Sequence, residues 1–169
     1  MRVLVTGGVR SGKSAHAEEL FADRAAVTYV APGPVHDDAD WLARIEAHRA
    51  RRPRTWTTLE TGDLTAALRT RGPVLVDCLG TWLTRLVDDA GMWDARTEDV
   101  SAYVEEEVAA AVRVLRADVV LVTNEVGWGV VPEHRSGRLF RDLLGEVNKR
   151  FAAACDEVHL VVAGRVLKL

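Results

Sequence analysis

Short apolar runs alternate with longer amphipathic segments along most of the chain. The runs Val3-Leu4-Val5 and Val119–Val122 contain no polar residue, which is typical of strands that are buried on both faces. Between the runs, apolar residues recur every three or four positions, which indicates helices with one buried face. This alternation predicts an α/β fold with a mostly parallel sheet covered by helices on both faces.

The predicted elements follow each other at short intervals. The predicted strands are 3–6, 27–30, 56–60, 74–77, 119–122 and 158–162, and the last of these can pair with 166–168. The predicted helices run from a glycine-rich loop to about residue 23 and over 40–51, 64–69, 81–87, 98–116 and 135–154. A polar stretch, 88–96, is predicted to be a loop. Because no repeat or linker interrupts this series, residues 1–169 are predicted to form one domain.

The amino-acid composition limits the classes of protein to which the chain can belong. A chain of 169 residues that is 48% hydrophobic can bury a core of its own. A net charge of -3 gives no reason to expect nucleic acid as a partner. No apolar run has the length of a membrane span, and two cysteines in apolar contexts favour a reducing cytoplasm. A cleaved signal peptide is not expected, because its removal would take the glycine-rich loop with it.

That loop is the strongest motif in the sequence. Residues 7–14 have the spacing G-x-x-x-x-G-K-S, and they stand between an apolar strand and a helix-forming segment. Glycines allow several backbone N–H groups to approach one anion, and the helix N-terminus adds its positive end. We expect Lys13 to reach the outer phosphates as a catalytic cation and the Ser14 hydroxyl to bind Mg²⁺. The predicted phosphate-binding residues are Gly7, Gly8, Val9, Arg10, Ser11, Gly12, Lys13 and Ser14.

A bound nucleotide also needs a carboxylate near its metal ion. Asp77 ends an apolar strand, as such a carboxylate does in P-loop enzymes, although an ordinary helix cap would look the same. Glu125 follows the strand 119–122 and is the competing candidate, and Asn124 beside it could orient a hydroxyl nucleophile. Ligands of parallel sheets gather at the carboxyl ends of the strands, where all of these residues are expected.

A second informative segment, residues 44–54, places His48 among five arginines in a chain that is acidic overall. The simplest interpretation is a solvated basic helix face. However, a histidine near cations keeps its ring nitrogen unprotonated and available for attack on phosphorus. Such a histidine could accept a nucleotide, while the arginines hold the triphosphate and the departing pyrophosphate. His48 is therefore the candidate covalent nucleophile.

These motifs together resemble one known family, the bifunctional adenosylcobinamide kinase/adenosylcobinamide-phosphate guanylyltransferases of cobalamin biosynthesis. The resemblance spans nearly the whole chain. It is carried by the glycine loop, by His48-Arg49 with Arg52-Pro53, by Asp77-Cys78-Leu79, and by residues 123–132, TNEVGWGVVP. The glycine loop alone is common to many families, but its combination with the other segments is specific.

The resemblance implies two reactions and a set of site residues. A nucleoside triphosphate, ATP or GTP, phosphorylates adenosylcobinamide; GTP then guanylylates His48, and GMP passes to the new phosphate to give adenosylcobinamide-GDP. It also implies a RecA-like P-loop domain, Mg²⁺, a corrinoid substrate and a homotrimer. The nucleotide-binding residues that it implies beyond the glycine loop are Ala31, Pro32, Gly33, Arg49, Ala50, Arg51, Arg52, Glu60 and Asp77, and the implied metal ligands are Ser14 and Asp77.

Two other functions remain open from the residues alone. One is a small-molecule P-loop kinase without nucleotidyl transfer, in which His48 is a bystander. The other is a GTP-binding switch that signals to a partner. The chain also departs from the family pattern at Arg85, where an asparagine is expected. Trp82 and Trp128 are each candidates for an apolar substrate face or for the core.

Overall fold

The computed structural model describes residues 1–34 and 52–169. The predicted helix over 40–51 therefore lies outside the described residues, and so do His48, Arg49, Ala50 and Arg51. The statements that follow concern the described ranges.

Seven strands of the described residues form one sheet in the order β3-β2-β4-β5-β1-β6-β7. All neighbouring strands run parallel except β6 and β7, which form an antiparallel hairpin at one edge. The strands are β1 (Arg2–Gly7), β2 (Thr28–Ala31), β3 (Thr57–Glu60), β4 (Val74–Asp77), β5 (Val119–Val122), β6 (Glu157–Val162) and β7 (Arg165–Lys168). The prediction of a mostly parallel α/β sheet is confirmed.

Five helices are present in the described ranges. They are α1 (Lys13–Glu19), α2 (Leu64–Leu68), α3 (Leu79–Asp89), α4 (Thr97–Arg113) and α5 (Arg135–Ala154). Among residues 1–34 and 52–169, no helix combines the length and the apolar character that crossing a bilayer requires.

The alternation of side chains along each strand divides the core into two layers. On one face, Val3 and Val5 pack with Ala17 of α1 and with Phe21. On the other face, a larger cluster joins the sheet to helices α2 to α5; it includes Leu4, Leu121, Trp82, Leu144 and Phe151. Since all four residues of β5 are buried, the centre of the sheet is covered on both sides, as the apolar strands predict.

Several predicted boundaries shift for local reasons. The helix after the glycine loop ends at Glu19 instead of about residue 23, because the following N–H groups of Phe21 and Ala22 bond to carbonyls three residues back. Helix α3 begins two residues earlier than predicted. Its start is fixed by Thr81, whose hydroxyl donates to the Cys78 carbonyl at 2.9 Å.

The structure also decides the position of two apolar candidates. Trp82 is only 2% exposed, and its indole N–H donates to the Gly62 carbonyl at 3.2 Å, so it belongs to the core. Its ring meets Phe151 edge-on, with centroids 6.3 Å apart. Cys155 follows α5 directly and is half-buried.

A hydrogen-bonded pair of histidines joins the helix of the glycine loop to the edge hairpin. His16 Nε2 lies 2.9 Å from Nδ1 of His159, which is 1% exposed. On its other side, His159 Nε2 lies 2.8 Å from the Glu157 carboxylate, which also accepts from Lys168. Burial, followed by the neighbouring His159, lowers the pKa of His16, so that His16 is held neutral.

This pair makes stability depend on pH. Because the pKa of His16 is lowered in the folded state, the unfolded chain takes up a proton first as the pH falls below about 6.5. We therefore expect the free energy of unfolding to decrease from that pH downwards. His16→Gln has no ionisable group and should show a smaller decrease. Urea denaturation of both proteins between about pH 8 and about pH 5.5 measures the difference; parallel pH profiles would contradict the prediction.

Candidate nucleotide and active site

The glycine loop connects the end of β1 to the start of α1 through backbone conformations that favour glycine. Gly12 has φ 97° and Arg10 has φ 55°, both in the left-handed region. A Cβ atom at Gly7 would collide with the carbonyl oxygen of Val161 on β6. The loop can therefore lie against the sheet only with glycine at position 7, as the motif predicts.

Polar contacts hold the loop in an open turn. The Lys13 ammonium donates to the Gly8 carbonyl at 3.0 Å, and the Gly164 N–H donates to the Ser11 carbonyl at 2.8 Å. The Ser11 hydroxyl is buried and has no hydrogen-bond partner within the described residues. A buried hydroxyl without a hydrogen-bond partner costs stability in a folded protein.

The register of the parallel strands brings the candidate carboxylates to the same edge of the sheet. Asp77 on β4 is level with Val122 on β5, which is level with Val5 on β1. Asp77 is thus two strand spacings, about 10 Å, from β1. Glu125 follows the intervening strand β5.

Glu125 is attached to β1 more directly than Asp77. Its backbone N–H donates to the Gly7 carbonyl at 3.2 Å, and its carboxylate accepts from the Thr6 hydroxyl at 2.7 Å. Asp77 and Glu125 therefore both remain candidates for the carboxylate beside a bound nucleotide, and Glu125 stands nearer to the glycine loop.

Tyr29 connects Asp77 to the end of the arginine-rich segment. Its hydroxyl donates to Asp77 Oδ2 at 3.0 Å, and the Arg52 guanidinium lies 3.6 Å from the centre of its ring. Arg52 also donates to the Thr58 hydroxyl on β3 at 3.3 Å. Burial, with the nearby Asp77 charge, raises the pKa of Tyr29 far above its usual value, so its hydroxyl remains a donor.

The turn Ala31-Pro32-Gly33 packs against the first turn of α3. A Cβ atom at Gly33 would come within 2.9 Å of Thr81 Cβ, so glycine is required for this contact. Arg85 donates to the Gly33 carbonyl at 3.3 Å and pairs with Asp89 at 3.5 Å. The arginine that departs from the family pattern thus holds this turn against the helix.

Among the described residues, the predicted site residues lie along one edge of the sheet. Ala31 on β2 is level with Glu60 on β3. In the strand order, β2 lies three strand spacings, about 14 Å, from β1, and β3 lies four, about 19 Å. The glycine loop, Asp77 and the Ala31 turn succeed one another along this edge. His48 and Arg49 to Arg51 lie outside the described residues.

A small polar pocket of about 130 Å³ opens beside the glycine loop, between the segment after β5 and helix α5. Asn148 of α5 fixes its wall, because its amide donates to the Asn124 carbonyl at 3.0 Å and accepts from the Thr123 hydroxyl at 2.5 Å. Arg141 donates to the Gly127 carbonyl at 2.7 Å. The lining residues are Asn124, Glu125, Val126, Gly127, Trp128, Arg141, Leu144, Gly145 and Asn148.

Sequence reasoning missed the connecting role of Tyr29. Strand register could have indicated it, because Tyr29 is level with Leu75 and Asp77 lies two residues farther along β4, on the same face. The segments that contain Arg141 and Asn148 belong to the family resemblance, but the contacts of these two residues were not predicted, because their partners are 14 and 24 residues away in the chain.

Comparison with known proteins identifies the family of this site. Residues 3–169 match the family described as cobinamide kinase / cobinamide phosphate guanyltransferase. The chain belongs to this family. It is therefore an enzyme of the kinase and guanylyltransferase class, and the resemblance inferred from its motifs is confirmed.

The relatives match over their whole length. The bifunctional adenosylcobalamin biosynthesis protein CobU of Escherichia coli is 44% identical, over all of this chain and 99% of its own. The protein of the same name from Salmonella typhimurium is 43% identical over the same shares, and CobP of Pseudomonas aeruginosa is 39% identical over all of this chain and 97% of its own.

A solved structure, the P4 protein of bacteriophage phi6 in complex with ADP, superposes with a TM-score of 0.46 and 17% identity, over 98% of this chain and 53% of that one. This structural similarity is too low to support any argument about the site, and the fold follows from the topology of the sheet.

The bridge through Tyr29 makes a prediction about stability. Tyr29→Phe removes the donor to Asp77 and should lower the free energy of unfolding by about 1–2 kcal/mol. Tyr29→Leu also removes the ring under Arg52 and should lower it further. Urea denaturation measures both, and Tyr103→Phe on α4 is the matched control. A Tyr29→Phe protein as stable as the control would show that the bond to Asp77 contributes nothing.

Proposed function

We propose that this protein phosphorylates adenosylcobinamide with a nucleoside triphosphate and then transfers GMP from GTP to the new phosphate through a guanylyl-histidine. The products are adenosylcobinamide-GDP and pyrophosphate. The observation that carries the proposal is the shared sheet edge, along which the glycine loop, Asp77 and the contact of Arg52 with Tyr29 follow one another. Arg52 matters because it is the last arginine before Pro53 in the segment that holds His48.

In the first reaction, the substrate hydroxyl attacks the γ-phosphorus of the nucleotide. The bond from that phosphorus to the bridging oxygen breaks, the nucleoside diphosphate leaves, and the hydroxyl proton passes to solvent. The backbone N–H groups of the loop and the Lys13 ammonium stabilise the negative charge on the transferring group. In the present structure the Lys13 ammonium donates to the Gly8 carbonyl at 3.0 Å, and an ammonium has further N–H groups that can donate to a phosphate.

The residues present fit a magnesium ion that is shared with the nucleotide. The Ser14 hydroxyl at the start of α1 and the Asp77 carboxylate are oxygen donors, which Mg²⁺ prefers. No group of three or more histidine, cysteine or acidic side chains within the described ranges forms a metal cage. That agrees with an ion held by one or two protein oxygens and the phosphates. When bound, Mg²⁺ would neutralise charge on the transferring phosphoryl group.

In the second reaction, a ring nitrogen of His48 attacks the α-phosphorus of GTP. The bond to the pyrophosphate oxygen breaks, and a phosphorus–nitrogen bond forms. A phosphate oxygen of the phosphorylated corrinoid then attacks the same phosphorus, and the bond to His48 breaks. Arg49, Arg51 and Arg52 would offset the charge of the phosphates during both transfers. The position of Arg52 over Tyr29 supports this, since its guanidinium lies close to the ring whose hydroxyl donates to Asp77.

The distance along the carboxyl-end edge of the sheet, from the glycine loop to the end of β3, suits an elongated ligand. With its phosphates at the glycine loop, GTP would extend past Asp77 toward the Ala31-Pro32-Gly33 turn and Glu60. Glu60 is exposed at the end of β3, so its carboxylate can accept hydrogen bonds from a nucleotide base.

The proposal includes a homotrimer in the cytoplasm. Two free thiols, Cys78 and Cys155, agree with a reducing compartment, and burial raises the pKa of Cys155 to about 11. Apolar residues on the edge hairpin, such as Leu167 and Leu169, are exposed and available for contact between subunits. We expect light scattering after size-exclusion chromatography to give three times the mass of the chain; a mass of one or two chains would contradict the trimer.

The decisive experiment uses GTP labelled at the α-phosphate. After incubation with Mg²⁺ and denaturation, we expect the wild-type chain to carry one GMP, detected by mass spectrometry on the peptide with His48. His48→Ala should carry none, because it has no nitrogen to form the bond. Lys13→Ala should be labelled at least about tenfold more slowly, because the phosphates lose their cation.

His134→Ala is the matched control, since His134 is an exposed residue at the start of α5. It should be labelled like the wild type. Label that persists in His48→Ala would exclude His48 as the nucleophile. If the wild-type chain is not labelled but still binds GTP and phosphorylates adenosylcobinamide, the protein is a kinase that does not transfer a nucleotide.

A further inference from the structure

The segment between β5 and α5 presents a row of exposed apolar side chains. Trp128 is 71% exposed, Val130 is 94% exposed and Val131 is 60% exposed. A tryptophan is usually covered for most of its surface, because it is the largest apolar side chain. Three exposed apolar side chains within four positions therefore form a surface that suits an apolar ligand.

The segment is held in place by α5. Arg141 donates to the Gly127 carbonyl at 2.7 Å, and Arg138 donates to the Pro132 carbonyl at 3.1 Å. Gly137 allows Pro132 to approach the helix, because a Cβ there would lie 2.8 Å from Pro132 Cβ. Contacts on both sides of Trp128 thus fix the backbone that displays it.

The same segment begins at the glycine loop. Glu125 is bound to Gly7 and Thr6 of β1, and Trp128 follows three residues later. A molecule lying on Trp128 is therefore beside the place where the terminal phosphate of a nucleotide would be. The polar pocket between this segment and α5 opens at the same position.

The size of that pocket limits what it can accept. Whole small-molecule ligands usually occupy pockets of about 300–1,000 Å³, whereas this pocket has about 130 Å³. It can take a short polar arm but not a macrocycle. Its lining includes the amides Asn124 and Asn148, the carboxylate Glu125 and the guanidinium Arg141, which can bond to an arm with an amide and a hydroxyl.

We propose that Trp128, Val130 and Val131 form the platform on which the corrin ring lies, while the hydroxyl-bearing arm enters the polar pocket beside Glu125. This inference rests on the proposed function, because it names the site for its corrinoid substrate. A corrin ring has a broad apolar face and a rim of amide side chains, which matches an indole face next to asparagine and arginine. An interface with a second copy would not require the polar pocket or its position beside the glycine loop.

The test separates corrinoid binding from the chemistry on GTP. Binding of adenosylcobinamide is measured by equilibrium dialysis, using the visible absorbance of the corrinoid, and KM and kcat are measured for its phosphorylation. Trp128→Ala should raise Kd and KM about tenfold or more, since an aromatic contact of this size is lost. kcat should stay within about twofold, because the reacting groups are unchanged. Trp128→Phe should recover most of the affinity.

Tyr103→Ala, which removes a partly exposed aromatic ring on α4 that belongs neither to the platform nor to the polar pocket, is the matched control and should bind like the wild type. Self-labelling with GTP in the absence of corrinoid should be the same in Trp128→Ala and the wild type. The dialysis result stands even if no label forms, so failure of the guanylyl-histidine step would not be mistaken for failure of this site. Unchanged corrinoid binding in Trp128→Ala, or loss of oligomer mass in that variant, would overturn the platform.

Discussion

The close contact between the glycine loop and the end of β6 is the constraint on which the rest of the site depends. Gly7 lies so near the Val161 carbonyl that no side chain fits, and Gly12 turns the chain into α1 with a left-handed backbone. These two conditions fix the course of the loop that carries Lys13 and the buried Ser11 hydroxyl. A side chain at either glycine would move the loop away from the sheet and separate these groups.

The parallel sheet extends this local arrangement into an active-site edge. Because β1, β4, β5 and β2 run in the same direction, their carboxyl ends bring Glu125, Asp77 and the Ala31 turn into a row. Two long-range contacts stabilise the row at its ends. Thr6 binds Glu125 across 119 residues of sequence, and Tyr29 binds Asp77 across 48. The proposed function would use this edge at separate places, for a triphosphate, for a nucleoside and for a large second substrate.

Much of the fold was predictable because its strands are buried on both faces. A strand such as Val119–Val122 must be continuously apolar, so its position can be read without any knowledge of its neighbours. Helix ends were less predictable. The end of α1 depends on tightened turns at Phe21 and Ala22, and the start of α3 depends on a hydroxyl contact of Thr81. Hydrophobic periodicity contains neither kind of information.

The sequence by itself determined the glycine loop and the strand-end carboxylates, because each depends on residues that are close together in the chain. It also determined the family, because several such short segments occur together. The tertiary structure decided which tryptophan is core and which is exposed, since burial of Trp82 and exposure of Trp128 follow from the packing of α3 and α5. It also decided that Tyr29 connects Asp77 to Arg52, because that contact requires the pairing of β2 with β4. Local spacing encodes chemistry within a loop, whereas contacts between distant segments exist only once the sheet has assembled.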